Sequence, residues 1–144
     1  MKKILIINGP NLNLLGLREP DVYGSMTLEE IKDYTNEKLK SENCKVTLEW
    51  YQSNIEGDLV ECIHKAIGSE YDALILNPAA YSHTSVAILD ALRMIKIPII
   101  EVHLTNVYSR EEFRQTLLTA RAASKIMSGL GKDAYYLAVK SELI

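Results

Sequence analysis

Apolar and polar positions along this chain switch between two periods. Residues 3–7 carry an unbroken apolar run, Ile4-Leu5-Ile6-Ile7, the pattern of a strand buried on both faces. Residues 45–52 set Val46, Leu48 and Trp50 against Thr47, Glu49 and Tyr51, which is the period of two of a second strand. Residues 72–76 and 97–102 are again apolar, with Pro98 at the start of the latter, where a missing N–H is tolerated. A weakly marked fifth strand is expected at 126–127, ahead of Gly129-Leu130-Gly131.

Between these runs the period lengthens to that of helices. Thr27-Leu28-Glu29-Glu30 reads as a capping box, followed by an apolar stripe of Leu28, Ile31, Tyr34 and Leu39, so a helix is expected over 28–42. After the turn Asn54-Ile55-Glu56-Gly57, a second helix has Leu59, Cys62, Ile63, Ala66 and Ile67 on one face. A third is expected over 85–94. Ser109-Arg110-Glu111-Glu112 reads as another capping box, and nothing between Arg110 and Ser124 breaks a helix. The last, over 133–143, presents Tyr136, Leu137 and Val139.

Strict alternation of strand and helix predicts an α/β fold, a doubly wound parallel sheet with helices on both faces. Five strands in 144 residues suggest the flavodoxin-like order 2-1-3-4-5 in a single domain over 1–144. Sites in such sheets lie beyond the carboxyl ends of the strands, at the switch point between the first and third. Three polar loops stand at those ends: 8–25, 77–85 and 103–106. Composition selects them and topology brings them to one crevice.

Composition narrows the function. The net charge is only −3, which gives no bulk attraction to nucleic acid or an anionic membrane. The first apolar run is far too short to span a bilayer, and it lacks the cleavage pattern of a signal peptide. Cys44 and Cys62 form no CxxC pair, which suits reduced thiols in a cytoplasmic protein. His64, His83 and His103 make no metal motif. Gly9, Gly16 and Gly24 fit no nucleotide-binding loop, and there is no serine elbow.

The remaining chemistry lies in the three loops. Glu101 and His103 are two apart on a strand and share a face. They are either an incidental pair or a carboxylate that orients an imidazole acid; the position at a strand's carboxyl end favours the second. Arg110 and Arg114, four apart on the expected helix, could grip a carboxylate, with at least one of them expected in solvent and paired with Glu111 or a nearby acid. His83 and Asp90 fall on the same side of a helix start, and His64 is taken as structural. Arg18 and Tyr23 share the first loop. A tyrosine with a pKa of about 10 is a poor base at neutral pH, and a neighbouring guanidinium lowers that value. The pair is either a base inside a closing loop or an aromatic anchor beside a solvated arginine.

Taken together, the motifs resemble one family. Asn8-Gly9-Pro10-Asn11-Leu12-Asn13-Leu14-Leu15-Gly16, Arg18-Glu19-Pro20, Val22-Tyr23-Gly24, Gln52-Ser53-Asn54-Ile55-Glu56-Gly57, Asn77-Pro78 with His83-Thr84-Ser85, and Glu101-Val102-His103-Leu104-Thr105-Asn106 with Arg110-Glu111-Glu112-Phe113-Arg114 resemble the type II 3-dehydroquinate dehydratases. The likeness is dense from Ile4 to Arg114 and resumes at Gly129.

The resemblance implies cofactor-independent anti elimination of water from the small molecule 3-dehydroquinate, giving 3-dehydroshikimate in the shikimate route. It implies Tyr23 as the base that removes the C2 proton and Arg18 as the group that favours its anion. It further implies Asn11 near the enolate oxygen, His103 as the acid for the departing hydroxyl, and Glu101 as its orienting partner. Asn77, His83, Asp90 and Arg114 would hold substrate, with the backbone of Leu104 and Thr105 adding donors. The family also implies a cytoplasmic homododecamer of four trimers, with Asp90 acting across a trimer interface and no nucleic-acid or membrane partner.

The chain departs from the family pattern after Arg114. Leu117-Leu118 stands for a Ser-Tyr pair, Arg121 for a proline and Lys125 for a glycine, while Ala79 replaces a frequent glycine. Two alternatives follow: a flavodoxin-like binding or signalling module, which would need a flavin or phosphoacceptor motif, and an inactive scaffold paralogue.

Overall fold

The computed structural model describes residues 1–17, 21, 24–68 and 70–144. Within them β1 (Lys2–Asn8), β2 (Val46–Gln52), β3 (Ala73–Asn77), β4 (Ile99–His103) and β5 (Lys125–Ser128) form one sheet. The order is β2-β1-β3-β4-β5 and every pairing is parallel. This is the expected flavodoxin-like α/β arrangement. The helices are α1 (Leu28–Ser41), α2 (Glu56–His64), α3 (Val86–Leu92) and α4 (Ala134–Ser141).

The unbroken apolar run in β1 explains the two layers. Ile4 and Ile6 pack with Ile31 and Leu39 of α1 and with Tyr135 and Val139 of α4. Leu5 and Ile7 point the other way, to Leu59 and Ile63 of α2 and Ile88 and Leu92 of α3. All four β1 side chains are essentially without solvent contact. Each such side chain contributes roughly 1.5–3 kcal/mol on burial, so a polar residue at any of them would open one layer of the core.

Local signals were mostly accurate. The Thr27 hydroxyl accepts from Glu30 N at 3.1 Å and Glu30 Oε1 accepts from Thr27 N at 3.3 Å, closing the capping box. Ser85 caps α3 by accepting from Ile88 N at 2.9 Å. The apolar face of the second helix is buried at Leu59, Cys62, Ile63 and Ala66, but α2 ends at His64 and Ile67 is exposed. Burial pushes the Cys62 thiol up to about 11, so it packs as an inert apolar group.

The helix expected over 110–124 does not form. Two short 3-10 turns stand there instead, Glu112–Gln115 and Thr119–Ala122, after another just ahead of it at Val107–Ser109. The capping box fails because Ser109 Oγ donates to Asn106 O, and Arg110 is extended. Its backbone groups find partners elsewhere: Leu118 N donates to Ser82 O at 2.7 Å and Ser124 N to Ile99 O at 2.8 Å. A continuous helix would lose both long-range bonds and draw Thr119 out of the core, where it is fully buried.

Candidate active site

The polar loops do converge. One pocket at the carboxyl ends of β1, β3 and β4 is lined by Asn11, Asn77, His83, His103, Leu104, Thr105, Arg110 and Arg114, among others.

Asn11 is held by its backbone. It has φ 69°, a left-handed conformation that asparagine tolerates. Its N–H donates to Asn54 Oδ1 at 2.9 Å, and Gln52 Nε2 donates to Gly9 O at 3.1 Å. The turn after β2 thus clamps the loop after β1. Gly9 lets that loop touch β3: its N–H donates to Asn77 O at 2.8 Å, and a Cβ there would sit 2.5 Å from the Pro78 oxygen. Asn11 makes no side-chain cap bond to the turn Leu12–Leu14 and lines the pocket.

Asn77 stands beside Asn8 in the sheet register, at the switch point. Ala79 N donates to its Oδ1 at 3.2 Å, which fixes the orientation of the amide. Its Nδ2 donates to the Tyr135 phenol at 3.0 Å, and that phenol donates to Asn8 Oδ1 at 2.5 Å. One Nδ2 hydrogen of Asn77 is left for the pocket.

The two histidines are set by different acceptors. His103 Nε2 donates to Glu101 Oε2 at 2.8 Å, leaving Nδ1 as the other ring nitrogen. Glu101 is fully buried, and it also accepts from Ser82 Oγ at 3.1 Å and from Thr119 Oγ1. His83 Nδ1 lies 2.9 Å from the Thr116 carbonyl, which can only accept, so Nδ1 carries the proton. Burial lowers the His83 pKa, opposed by that carbonyl and aided by His103 and Arg114 nearby, so its ring is neutral at neutral pH. The two rings stack with centroids 6.4 Å apart.

Arg114 Nε donates to Glu111 Oε2, and this bond holds the Glu111 carboxyl below its usual range. The terminal nitrogens of Arg114 are thereby aimed while Nε is occupied. Arg110 and Arg114 do not share a helix; both line the pocket, and both meet Glu111, so the expected pairing with that acid forms at the pocket wall and not in open solvent. The carbonyls of Leu104 and Thr105 accept from Gly131 N at 2.9 Å and Ser128 Oγ at 3.0 Å, which orients both peptides at the wall.

Asp90 is exposed on α3 and does not line this pocket. Arg18 and Tyr23 lie outside the described residues. Three side chains behind the pocket were not singled out from sequence: Ser82, Thr119 and Tyr135. Ser82 lies in a loop already chosen for its polarity; Thr119 and Tyr135 fall in segments read as helix, where their hydroxyls gave no signal.

This is a set of neutral amides, a carboxylate-held imidazole, a neutral imidazole and two guanidiniums around one cleft. It can bind a carboxylate, polarise oxygens and deliver a proton from His103. The model of the family described as Dehydroquinase class II matches residues 2–143. The chain belongs to that family.

Named 3-dehydroquinate dehydratases agree with the chain in sequence, and a type II dehydroquinase agrees with it in shape. The 3-dehydroquinate dehydratase of Clostridium botulinum is 51% identical over 142 residues, covering 97% of this chain and 93% of that protein. The 3-dehydroquinate dehydratase of Helicobacter acinonychis is 45% identical over 137 residues, covering 95% and 82%. The crystal structure of type II dehydroquinase from Butyrivibrio crossotus superposes with a TM-score of 0.92 at 42% identity, covering 98% of this chain and 97% of the other. The pocket described above is therefore set in a fold shared almost end to end.

Proposed function

We propose that this chain is a 3-dehydroquinate dehydratase, a hydro-lyase that converts 3-dehydroquinate to 3-dehydroshikimate and water, acting as a single domain over 1–144. One observation carries the reading: in a chain matched to the class II dehydroquinase family over residues 2–143, His103 and its buried partner Glu101 stand at the pocket where Asn11, Asn77, His83 and Arg114 converge. An inactive paralogue is not favoured beside 51% identity to a named 3-dehydroquinate dehydratase over 97% of the chain.

In this reading Tyr23, made anionic by Arg18, takes the C2 proton, and the C–H electron pair passes to the C3 carbonyl as an enolate. Asn11 stabilises the enolate oxygen. The enolate then collapses, the C1–O bond breaks, and His103 supplies the proton that releases the hydroxyl as water. Glu101 keeps His103 Nε2–H fixed so that Nδ1 carries the transferred proton, and it stabilises the imidazolium from which the proton leaves. Arg114 binds the substrate carboxylate, and Asn77, His83 and the Leu104-Thr105 backbone hold its oxygens. The roles of Tyr23 and Arg18 rest on the motif resemblance alone.

The same reading makes the enzyme a step of the shikimate pathway in the cytoplasm, in keeping with the free Cys44 and Cys62. It makes the assembly a dodecamer of four trimers, in which an exposed Asp90 reaches the pocket of a neighbouring copy. The test is a spectroscopic assay for the conjugated enone product. Wild type should form it from 3-dehydroquinate, and Tyr23→Phe should be nearly inactive. Failure of the wild type would sink the function; full activity in Tyr23→Phe would remove the assigned base and spare the function.

A further inference from the structure

We infer that Thr119 is a positioning residue for the proton donor, acting on His103 through the buried carboxylate of Glu101; the inference rests on the dehydratase reading and deepens it.

The geometry behind it is a carboxylate fixed from three sides. Glu101 Oε2 takes two donors, His103 Nε2 at 2.8 Å and Ser82 Oγ at 3.1 Å. Oε1 takes the Thr119 hydroxyl. Thr119 Oγ1 is also 3.4 Å from Ser82 Oγ, but its single proton is committed to Glu101. The terminal torsion of a glutamate is broad, so two bonds to one oxygen leave the carboxylate plane free to turn about that oxygen. A third bond, to the other oxygen, fixes the plane and so fixes the direction in which Oε2 meets the imidazole. Glu101 and Thr119 have no solvent exposure, so water does not supply a substitute donor.

Thr119 can serve this purpose because its own place is determined. The preceding residue, Leu118, donates its N–H to Ser82 O at 2.7 Å, and Thr116 O holds His83 Nδ1 at 2.9 Å. Residues 116–119 therefore set both rings of the stacked pair, one through a carbonyl and the other through a carboxylate. β-Branching restricts the rotamer of threonine, which keeps the hydroxyl pointed. Beside His103 the charged and titratable neighbours are His83, stacked on its ring, and Arg114, which acts on His83. The two hydroxyls add direction without adding charge.

The test compares Thr119→Val, which keeps the shape and removes the donor, with Thr119→Ser, which keeps the donor. For each we would measure kcat and KM for 3-dehydroquinate across pH, and the imidazole 15N signals of His103. Removing an outer hydrogen-bond partner of this kind lowers function by about 10–100-fold in comparable metal sites, and a similar fall in kcat is expected for Thr119→Val. KM should change little, the alkaline limb of the kcat profile, where the acid loses the proton it must deliver, should move, and the His103 signal should shift. Thr119→Ser should restore all three. If valine prevents folding, Thr119→Cys, similar in size with only a weak donor, is judged by the same criteria. Unchanged kcat and an unchanged His103 signal in a folded valine or cysteine variant would overturn the inference, as would an equal loss in Thr119→Ser. An inactive wild type would defeat the dehydratase reading, and the His103 signal alone would then decide the positioning.

Discussion

Asn77 Nδ2 donates to the hydroxyl of Tyr135 at 3.0 Å, joining a pocket residue to a side chain at the centre of the core. The bond belongs to a directed relay. Ala79 N donates to Asn77 Oδ1, Asn77 to Tyr135, Tyr135 to Asn8 Oδ1, and Asn8 Nδ2 to Tyr51 O at 3.3 Å. Every member has one orientation that satisfies its neighbours, so the amide of Asn77 is set before any ligand arrives. Burial also raises the Tyr135 pKa, which keeps the phenol neutral and able to donate. Tyr135→Phe would strand Asn8 Oδ1 and leave the Asn77 amide held by the Ala79 N–H alone. We expect a loss of about 1–3 kcal/mol in urea unfolding, the cost of a buried group left unpaired, together with a raised KM. An unchanged KM would show that the relay serves stability alone.

Ala79 occupies a left-handed conformation with φ 52° immediately after this relay. That region costs an L-residue roughly 1–2 kcal/mol, whereas glycine enters it freely. Glycine loses more backbone entropy on folding, about 0.5–1 kcal/mol relative to alanine. The difference favours glycine, so Ala79→Gly should stabilise the protein by up to about 1 kcal/mol, against the usual sign of that substitution. The thermal midpoint should rise while the Ala79 N to Asn77 Oδ1 bond is kept. A lower midpoint would mean that the methyl group's packing against the core outweighs the strain.

The parts of this molecule that were legible in its sequence are those governed by local rules. The apolar run of β1, the box at Thr27 and Glu30, and the loops at strand ends each carry their own signal, and the open-sheet topology then places the loops together. Residues 107–124 carried a misleading one. Ser109 to Glu112 has the letters of a capping box, but the helix loses to hydrogen bonds with partners far along the chain, Ser82 and Ile99. Periodicity cannot see such partners. The same blindness hid Thr119, whose use depends on a carboxylate that approaches only in the folded sheet. The departure at Lys125 is likewise explained in three dimensions. Its ammonium donates to Ser141 O at 2.9 Å and Glu142 Oε2 at 2.7 Å, so the side chain ties edge strand β5 to the end of α4.

The pocket gives stability a pH dependence of definite sign. Burial depresses the folded-state pKa of His83 below its ordinary value of 6.5. Between the two values the unfolded chain binds more protons, so stability rises with pH there. The His83 contribution is intact above the ordinary value and is lost as pH falls through it towards the folded value. His83→Gln removes the titration. Urea midpoints at about pH 7.5 and about pH 5.5 should therefore fall further for the wild type than for the variant on acidification, the ordinary histidine range being about 6.5. Equal falls would exclude His83 as the source.

Arg114 offers the sharpest test of how the pocket holds an anion. Its Nε is taken by Glu111, which leaves the terminal nitrogens to meet a carboxylate in a fixed plane. Lysine has the charge without the fork, so Arg114→Lys should raise KM by about tenfold or more, as expected where bidentate geometry matters. Glu111 acts one step back. It is exposed, and a surface pair of this kind contributes little, so Glu111→Gln should raise KM far less than Arg114→Lys. Both changes remove binding common to the ground and transition states, so kcat should stay near the wild-type value. High salt should shrink the Glu111→Gln effect more than the Arg114→Lys effect, because the exposed pair is screened and the planar contact is not. A large fall in kcat with unchanged KM in Arg114→Lys would instead mean that Arg114 acts on the developing charge of the reaction and not on the bound carboxylate.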